Sequence, residues 1–571
     1  MKGKQSQVKS DIAMTKVIRP FLKNLALVFV AAVLFAAAHP NPVFANGLPL
    51  LAWIAFVPIF YLVRHVGLGA SVLWGALYGY VAYGFFNYWL TVFHPLAGII
   101  VGVIYAIFIA VLFFFLRLAI IVFPRRGYIL QWLLWMAYEF LRTQGFLGYP
   151  FGIIGYSQWN LLPIIQIAAI TGVWGVSALV VFPSAWLAAA LHDGLGSKTQ
   201  GLGLKDLSLE IREQGLGIKT FFRREWQSAT VWFALLAATL VYGFVSPIDY
   251  SEARKFRVAL IQHNTDPWEA ARAETAALAL EAYREDFRIL RRLSDEALAS
   301  QPDTELVVWP ETAFVPRIHW HSTYRPNRGY WLLVNELLEY LRGKDVPFVI
   351  GNDDGRRDPV KNPIGNNLVN YNAAILFKRG EMVEVYRKLH LVPFTEHFPF
   401  QRQLPWVYEA LRNADTHFWE SGTEATVFDV DGVRFSTPIC FEDTFGYISR
   451  KFVLNGAELL VNLTNNAWAN SLSCQMQHLS MSVFRAVENR RAMVRSTVSG
   501  QTAAINPNGR ILAMSAPFTE SYLNVEVPVL SNPVTIYTRF GDYLGVAFTF
   551  AAIMVLILGL LSYIMNLRKR D

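Results

Sequence analysis

Cysteine and charge are scarce in this sequence. Two cysteines, Cys440 and Cys474, cannot build the disulfide framework of a small secreted scaffold, and a bridge between them would silence both thiols. Charged residues make up 16% of the chain and hydrophobic residues 54%. That balance is too apolar for an ordinary soluble enzyme, and 571 residues are too many for one domain. Three stretches lack Lys and Arg altogether: His39 to Gly47, Phe93 to Leu96 and Thr143 to Leu162. Internal repeats and long low-complexity tracts are also missing, which argues against a transporter built from repeated halves. Gly194 to Gly203 is glycine-rich but lacks the preceding strand, the GKS or GKT ending and the following helix of a phosphate loop, so it reads as a linker. His390, His397 and His478 have no metal-ligand spacing, so neither a metal nor another cofactor is expected.

Apolar length is abundant. A membrane span needs about 20 mostly apolar residues, and eight segments qualify as candidates: roughly 20 to 38, 48 to 64, 70 to 92, 97 to 123, 128 to 142, 163 to 192, 227 to 247 and 544 to 566. The net charge of +8 reports topology rather than nucleic-acid binding, because the basic residues mark alternate loops. They crowd into the amino-terminal tail, Arg64, Arg125 and Arg126, the loop from Lys198 to Arg224, and the tail Arg568-Lys569-Arg570. The positive-inside rule then puts both termini in the cytoplasm and residues 248–543 outside. Lys23, the apolar run from Leu25 and the small residues near Ala45 also resemble a cleavable signal peptide; cleavage leaves the downstream orientation unchanged. Three parts follow: a membrane part with seven helices over 1–247, an extracytoplasmic part over 248–543, and an eighth helix with a basic tail over 544–571.

From Phe256 the pattern changes to short strands alternating with amphipathic helices, as in α/β domains. Strands are expected at FRVALIQHN, ELVVWPE and PFVIGND, and hairpins at Arg379-Gly380, Asp431-Gly432 and Asn508-Gly509. Helices are expected over Trp268 to Ala299, 330 to 342, 444 to 455 and 475 to 493.

Three residues in this block carry chemistry. Glu311 stands after the strand ELVVW and a proline, Lys388 closes the strand EMVEVYR, and Cys440 ends RFSTPI ahead of a helix. Strand ends are where sites of α/β folds gather. A thiol with an ordinary pKa of about 8.5 needs a base to attack a carbonyl; a carboxylate supplies it. An ammonium and the backbone N–H groups around Phe441 would hold the oxyanion. Each residue alone is more often a surface carboxylate, a solvated lysine or a core cysteine.

Their local sequences WPET, YRKLHLVPFTEHFP and ICFEDTF, with the later NLTNNAW, resemble the Glu, Lys and Cys motifs of the nitrilase superfamily. Seven preceding spans and one following it resemble its membrane-bound branch, which N-acylates lipoproteins. The resemblance implies an αββα sandwich facing the periplasm from the inner (plasma) membrane. Its activity would be transfer of an acyl chain from a membrane phospholipid, through a cysteine thioester, to the amino-terminal diacylglyceryl-cysteine of an apolipoprotein. It makes Glu311 the general base, Lys388 the oxyanion-stabilising lysine and Cys440 the nucleophile. Glu396 is similar to the family's second glutamate and Glu442 to its supporting carboxylate, while Trp268 and Trp468 resemble aromatics tied to substrate access. Phe441 stands where the family commonly has Tyr, Thr395 where it has Gly, and Ala469-Asn470 where it has Phe-Gly, so the site lining and acyl preference are expected to differ.

Glu139 and Arg142, at the end of the fifth apolar segment, are candidates for lipid-headgroup contact because ionisable groups at membrane depth are functional by default. Their i, i+3 spacing equally suits a structural ion pair. Phe398, Phe400 and Trp406 suit either core packing or a lid resting on the bilayer. The same Glu, Lys and Cys would also serve a membrane-tethered amidase or nitrilase-type hydrolase, for which one span would suffice. A transporter with an external domain leaves the three motifs unexplained.

Overall fold

The computed structural model describes residues 2–93, 95–195, 207–266, 269, 272–361, 367–413 and 418–569. Trp268 and most of the Gly194 to Gly203 stretch lie outside these. Each of the eight apolar segments contains helix. Among the described residues five helices are long and apolar enough to cross a membrane: Ile18–Ala38, Leu96–Val122, Val173–Gly194, Gly217–Val245 and Tyr543–Arg568. Helix Gly127–Leu141 has only 15 residues, short of the ~20 that a perpendicular span needs. The segment expected at 163 to 192 is broken. Short helices Leu162–Ile165 and Ala168–Thr171 precede Gly172, whose φ of 63° restarts the chain as Val173–Leu195. A Cβ at Gly172 would also lie 2.6 Å from the Tyr537 ring. Helix Leu68–Phe86 packs closely on Pro95–Val122, because a Cβ at Gly79 would lie 2.3 Å from the Tyr105 carbonyl oxygen, the small-residue contact that helices in lipid favour.

The block after residue 254 is a sandwich of two six-stranded sheets. Its strands are β1 (Lys255–Gln262), β2 (Leu306–Val308), β3 (Phe348–Arg357), β4 (Leu368–Lys378), β5 (Glu381–Arg387), β6 (Phe428–Val430), β7 (Val433–Ser436), β8 (Leu459–Thr464), β9 (Ala492–Thr497), β10 (Ala503–Ile505), β11 (Ile511–Met514) and β12 (Ser521–Pro528). One sheet runs β12-β1-β2-β3-β4-β5, the other β11-β10-β9-β8-β7-β6. β1, β2 and β3 are parallel, as are β7, β8 and β9. The two hairpins β4-β5 and β6-β7 turn at Arg379-Gly380 (φ 48° and 78°) and Asp431-Gly432 (φ 51° and 80°), the paired left-handed conformations of a two-residue turn.

Period-two alternation sorts the first sheet into two cores. Ala259, Ile261, Val307 and Trp309 face outward onto Phe287 and Leu290 of helix Ala276–Ser300 and Leu337 of helix Arg328–Arg342. Val258, Leu260, Leu306 and Val308 belong instead to a core that runs through the second sheet into the membrane helices. Helix Ala276–Ser300 starts later than its apolar spacing suggests, because Thr275 accepts from the Leu278 N–H (3.2 Å) and caps it there. On the second sheet, helix Leu472–Asn489 is buried on all sides, since its outer face meets the membrane part. Trp89 Nε1–H donates to Gln477 Oε1 (2.9 Å), and Gln477 Nε2–H donates to the Pro40 and Phe86 carbonyls (2.9 and 3.2 Å). Arg485 donates to the Tyr156 hydroxyl (3.0 Å), and the Val173 N–H donates to Glu488 (3.2 Å).

Candidate active site

Glu311, Lys388 and Cys440 come together at the carboxyl ends of β2, β5 and β7. The chain leaves β2 through Trp309 and Pro310 and bends at Thr312 (φ 46°). Gly351 on β3 permits this bend, because a Cβ there would lie 2.2 Å from the Pro310 carbonyl oxygen and 2.7 Å from the Glu311 Cα. Lys388 Nζ then reaches Glu311 Oε1 at 3.2 Å and Glu396 Oε1 at 2.8 Å, with the lysine side chain fully buried. Glu311 Oε1 also accepts from Asn372 Nδ2 (2.8 Å), and Oε2 accepts from the Asn465 N–H (2.8 Å) just past β8. The Val392 N–H holds the other Glu396 oxygen (2.9 Å).

β7 stops at Ser436, earlier than the sequence suggests, and Ile439 keeps only an isolated bridge to Leu463. Cys440 sits in the left-handed region (φ 48°) and opens the short 3-10 turn Cys440–Thr444, ahead of helix Gly446–Leu454. Such a backbone persists only where its surroundings over-determine it, and here they do. Glu442 accepts from the backbone N–H groups of Ile439 (2.7 Å), Leu389 (2.7 Å) and His390 (3.0 Å) and from the Tyr386 hydroxyl (2.7 Å). One carboxylate therefore ties the loop after Lys388 to the residue before Cys440.

Asp443 anchors the same turn from below. It accepts from His478 Nε2 (2.5 Å), Ser482 Oγ (2.7 Å) and Arg495 Nη1 (2.6 Å), while Asn466 Nδ2 lies 3.0 Å from His478 Nδ1. Both ring nitrogens of His478 are engaged, so this Asp-His pair cannot act as base to the thiol. Burial, opposed by Asp443, lowers the His478 pKa and keeps the ring neutral.

The electrostatics favour a resting thiol. Burial and then the Glu311 charge push the Cys440 pKa well up, with Lys388 pulling against them. Two carboxylates share a single ammonium, and a thiolate would add another negative charge to a buried site. Burial alone would lower the Lys388 pKa, but Glu311 and Glu396 outweigh it and hold the ammonium charged. Burial also raises Glu396, and raises Glu442 to about 7.

Around this centre stand aromatics from both halves of the chain. Phe441 stacks with Tyr149 and Phe151 (centroids 6.3 and 6.5 Å), and Trp468 meets Trp89 at 5.6 Å. Phe398 is 6% exposed, whereas Phe400 and Trp406 are 43% and 71% exposed; Phe146 meets Phe400 at 5.6 Å. Cys474 is a free, buried thiol. Glu139 and Arg142 are both buried and do not pair with each other. Instead Glu139 accepts from the Ile154 N–H (3.1 Å), and Arg142 donates to the Tyr149 and Phe151 carbonyls (2.9 Å each). The sequence reading missed Asn372, Asn465, Asp443, His478 and Arg495. Asp443 alone left a signal, standing beside Glu442 in ICFED.

A carboxylate, an ammonium and a thiol at the strand ends of such a sandwich define a protein of the carbon-nitrogen hydrolase class, and residues 257–531 match the carbon-nitrogen hydrolase family. Residues 31–186 match the apolipoprotein N-acyltransferase N-terminal domain. The chain is 45% identical to apolipoprotein N-acyltransferase 1 of Treponema denticola, over 96% of this chain and 97% of that one. It is also 45% identical to apolipoprotein N-acyltransferase 1 of Treponema pallidum (95% and 97%) and 30% identical to apolipoprotein N-acyltransferase of Geobacter metallireducens (91% and 92%). The chain belongs to the apolipoprotein N-acyltransferase family, and it is an acyltransferase of lipoprotein maturation. Among solved structures it resembles Nit3 of Saccharomyces cerevisiae, at 18% identity and a TM-score of 0.34 over 48% of this chain and 90% of that one.

Proposed function

We propose that the chain moves an acyl group from a membrane phospholipid to the α-amino group of a diacylglyceryl-cysteine on an apolipoprotein, by way of a thioester on Cys440. The observation that carries this reading is the convergence of three strand ends, with Lys388 Nζ 3.2 Å from Glu311 and Cys440 within the fields of both. In the first half-reaction Glu311 takes the thiol proton as sulfur adds to the ester carbonyl. Lys388, with the backbone N–H groups at Phe441, holds the oxyanion. The C–O bond then breaks, and the departing lysophospholipid alkoxide takes the proton back from Glu311. In the second half-reaction the neutral amine adds to the thioester, Glu311 accepts its proton, and the C–S bond breaks to leave an amide. The thiolate leaves and is reprotonated from Glu311.

Glu396 and Glu442 act as supports. Glu396 keeps the Lys388 ammonium turned toward Glu311, and Glu442 fixes the Cys440 turn against the lysine loop. Water must be kept from the thioester, or the enzyme becomes a lipase; Phe441 and Trp468 line the approach that excludes it. Residues 1–247 and 544–571 supply eight membrane helices, the short or broken ones held by their neighbours, with both termini cytoplasmic and 248–543 periplasmic. The tests use the purified full chain and a phospholipid carrying a labelled acyl chain. Mass analysis of the Cys440 peptide should show the label as a thioester, and a diacylated lipopeptide should discharge it as an amide. Label retained on a Cys440→Ala protein refutes the nucleophile. Discharge only to water, with or without lipopeptide, replaces the transferase by a hydrolase.

A further inference from the structure

Arg142 and Glu139 occupy successive turns at the end of helix Gly127–Leu141 and grip one loop from two sides. Arg142 Nη1–H donates to the carbonyls of Tyr149 and Phe151 (2.9 Å each) and to the Tyr105 hydroxyl (2.8 Å). Glu139 Oε1 accepts from the N–H of Ile154 (3.1 Å), three residues further along. The guanidinium is caged by the rings of Tyr83, Tyr105 and Tyr138 at 5.5, 5.6 and 5.7 Å, a position worth more to a cation when desolvated. Tyr83 and Tyr105 are themselves stacked at 3.5 Å, so the cage is rigid. The loop is fixed further by Tyr149, whose hydroxyl donates to Asn87 (2.9 Å) and whose N–H donates to the Arg142 carbonyl (3.1 Å).

The two carbonyls that Arg142 holds belong to the two residues whose rings stack on Phe441. Tyr149 and Phe151 lie 5.0 Å apart and nearly parallel (16°), and each lies flat to Phe441, at 29° and 13°. Phe441 follows the nucleophile directly. A side chain at the end of helix Gly127–Leu141 thus sets the aromatic wall beside the reacting sulfur through one short loop.

We propose that Arg142 is a positioning residue of acyl transfer, with Glu139 as its counterpart on the same loop. By fixing the carbonyls at 149 and 151 it holds Tyr149 and Phe151 against Phe441, and so keeps the wall that seats the acyl chain and shuts water from the thioester. This rests on Cys440 being the acylated residue.

The experiment compares full-length wild type, Arg142→Lys, Arg142→Met and Phe441→Leu in lipid nanodiscs. It reads the thermal midpoint, the rate of Cys440 acylation, and the split of the acyl-enzyme between lipopeptide amide and free fatty acid. A misplaced wall is expected to slow acylation by on the order of 10²-fold in Arg142→Met and to raise the fatty-acid share. Arg142→Lys, which keeps a charged donor but not the planar guanidinium that the three rings cage, should recover part of both. Phe441→Leu removes the ring without touching the cage, and should raise the fatty-acid share at an unchanged midpoint. The inference is overturned if Arg142→Met loses activity only in step with its folded fraction while Phe441→Leu keeps the wild-type split, or if both variants partition as wild type. Absence of label from wild-type Cys440 would instead overturn the thioester reading and leave the folding data standing.

Discussion

The sandwich wears two kinds of helical layer. Helix Ala276–Ser300 is amphipathic, with buried Phe287, Leu290, Leu293 and Ala297 on one face and exposed pairs such as Arg288–Glu285 on the other. Helix Leu472–Asn489 is buried all round, yet its outward side carries Gln477, Arg485 and Glu488. The first layer is held by apolar area and meets water. The second docks on the membrane helices through directional bonds that end on Trp89, Pro40, Phe86, Tyr156 and Val173. Polar groups inside a protein cost stability unless paired, so the docking face specifies one seating of the sandwich where grease alone would allow sliding.

Breaking the docking face should have the largest effect. Arg485→Met strands Glu488, its buried partner at 2.9 Å, and should cost about 3–5 kcal/mol, whereas Arg288→Met on the outer helix should change stability by under ~0.5 kcal/mol. Thermal unfolding of the two variants in the same detergent tests the contrast, and equal midpoints would dissolve it. Next comes the outer core: Leu290→Ala empties a fully buried site and should cost about 2–5 kcal/mol, read in the same assay. Gln477→Leu leaves the Trp89 N–H and the Pro40 carbonyl without partners and should cost about 1–3 kcal/mol. A Trp89→Phe background, which already lacks the donor, should shrink that loss.

A pH dependence within the sandwich comes last, because it is felt only in acid. Burial lowers the pKa of His263 to about 3 and that of His321 to about 4, against 6.5 in the unfolded chain. Depressed histidines bind protons preferentially in the unfolded state, so the stability they contribute is complete above pH ~6.5 and is lost as pH falls toward ~4. His321→Gln should flatten the fall of the unfolding midpoint over that window, and an unchanged slope would remove the histidine from the account.

Much of this was legible in the sequence because the relevant signals are local. Arg379-Gly380 and Asp431-Gly432 announce their turns, alternation in β1 announces its two faces, and Glu311, Lys388 and Cys440 stand at strand ends in motifs of their own. The docking helix was legible as a helix at 475 to 493, but its docking face was not, because nothing in LSCQMQHLSMSVFRAVEN tells a partner protein surface from water. The break at Gly172 was hidden for a similar reason, since an apolar stretch with one glycine has the composition of a continuous span. Asn372 and Asn465 were invisible because side-chain and backbone donors from distant strands meet Glu311 only in three dimensions.

The left-handed backbone of Cys440 bears on the choice of an inactive control. Ala at that position keeps the unfavourable φ, while Gly accepts it freely, so Cys440→Gly should unfold at or above the temperature of Cys440→Ala, although the proposed role of Cys440 makes both inactive. The two differ in what the turn does once the sulfur is gone. A protein locked for substrate trapping is better made with alanine, which keeps Glu442 and Asp443 at work, than with glycine, which lets the turn relax into shapes the living enzyme never visits.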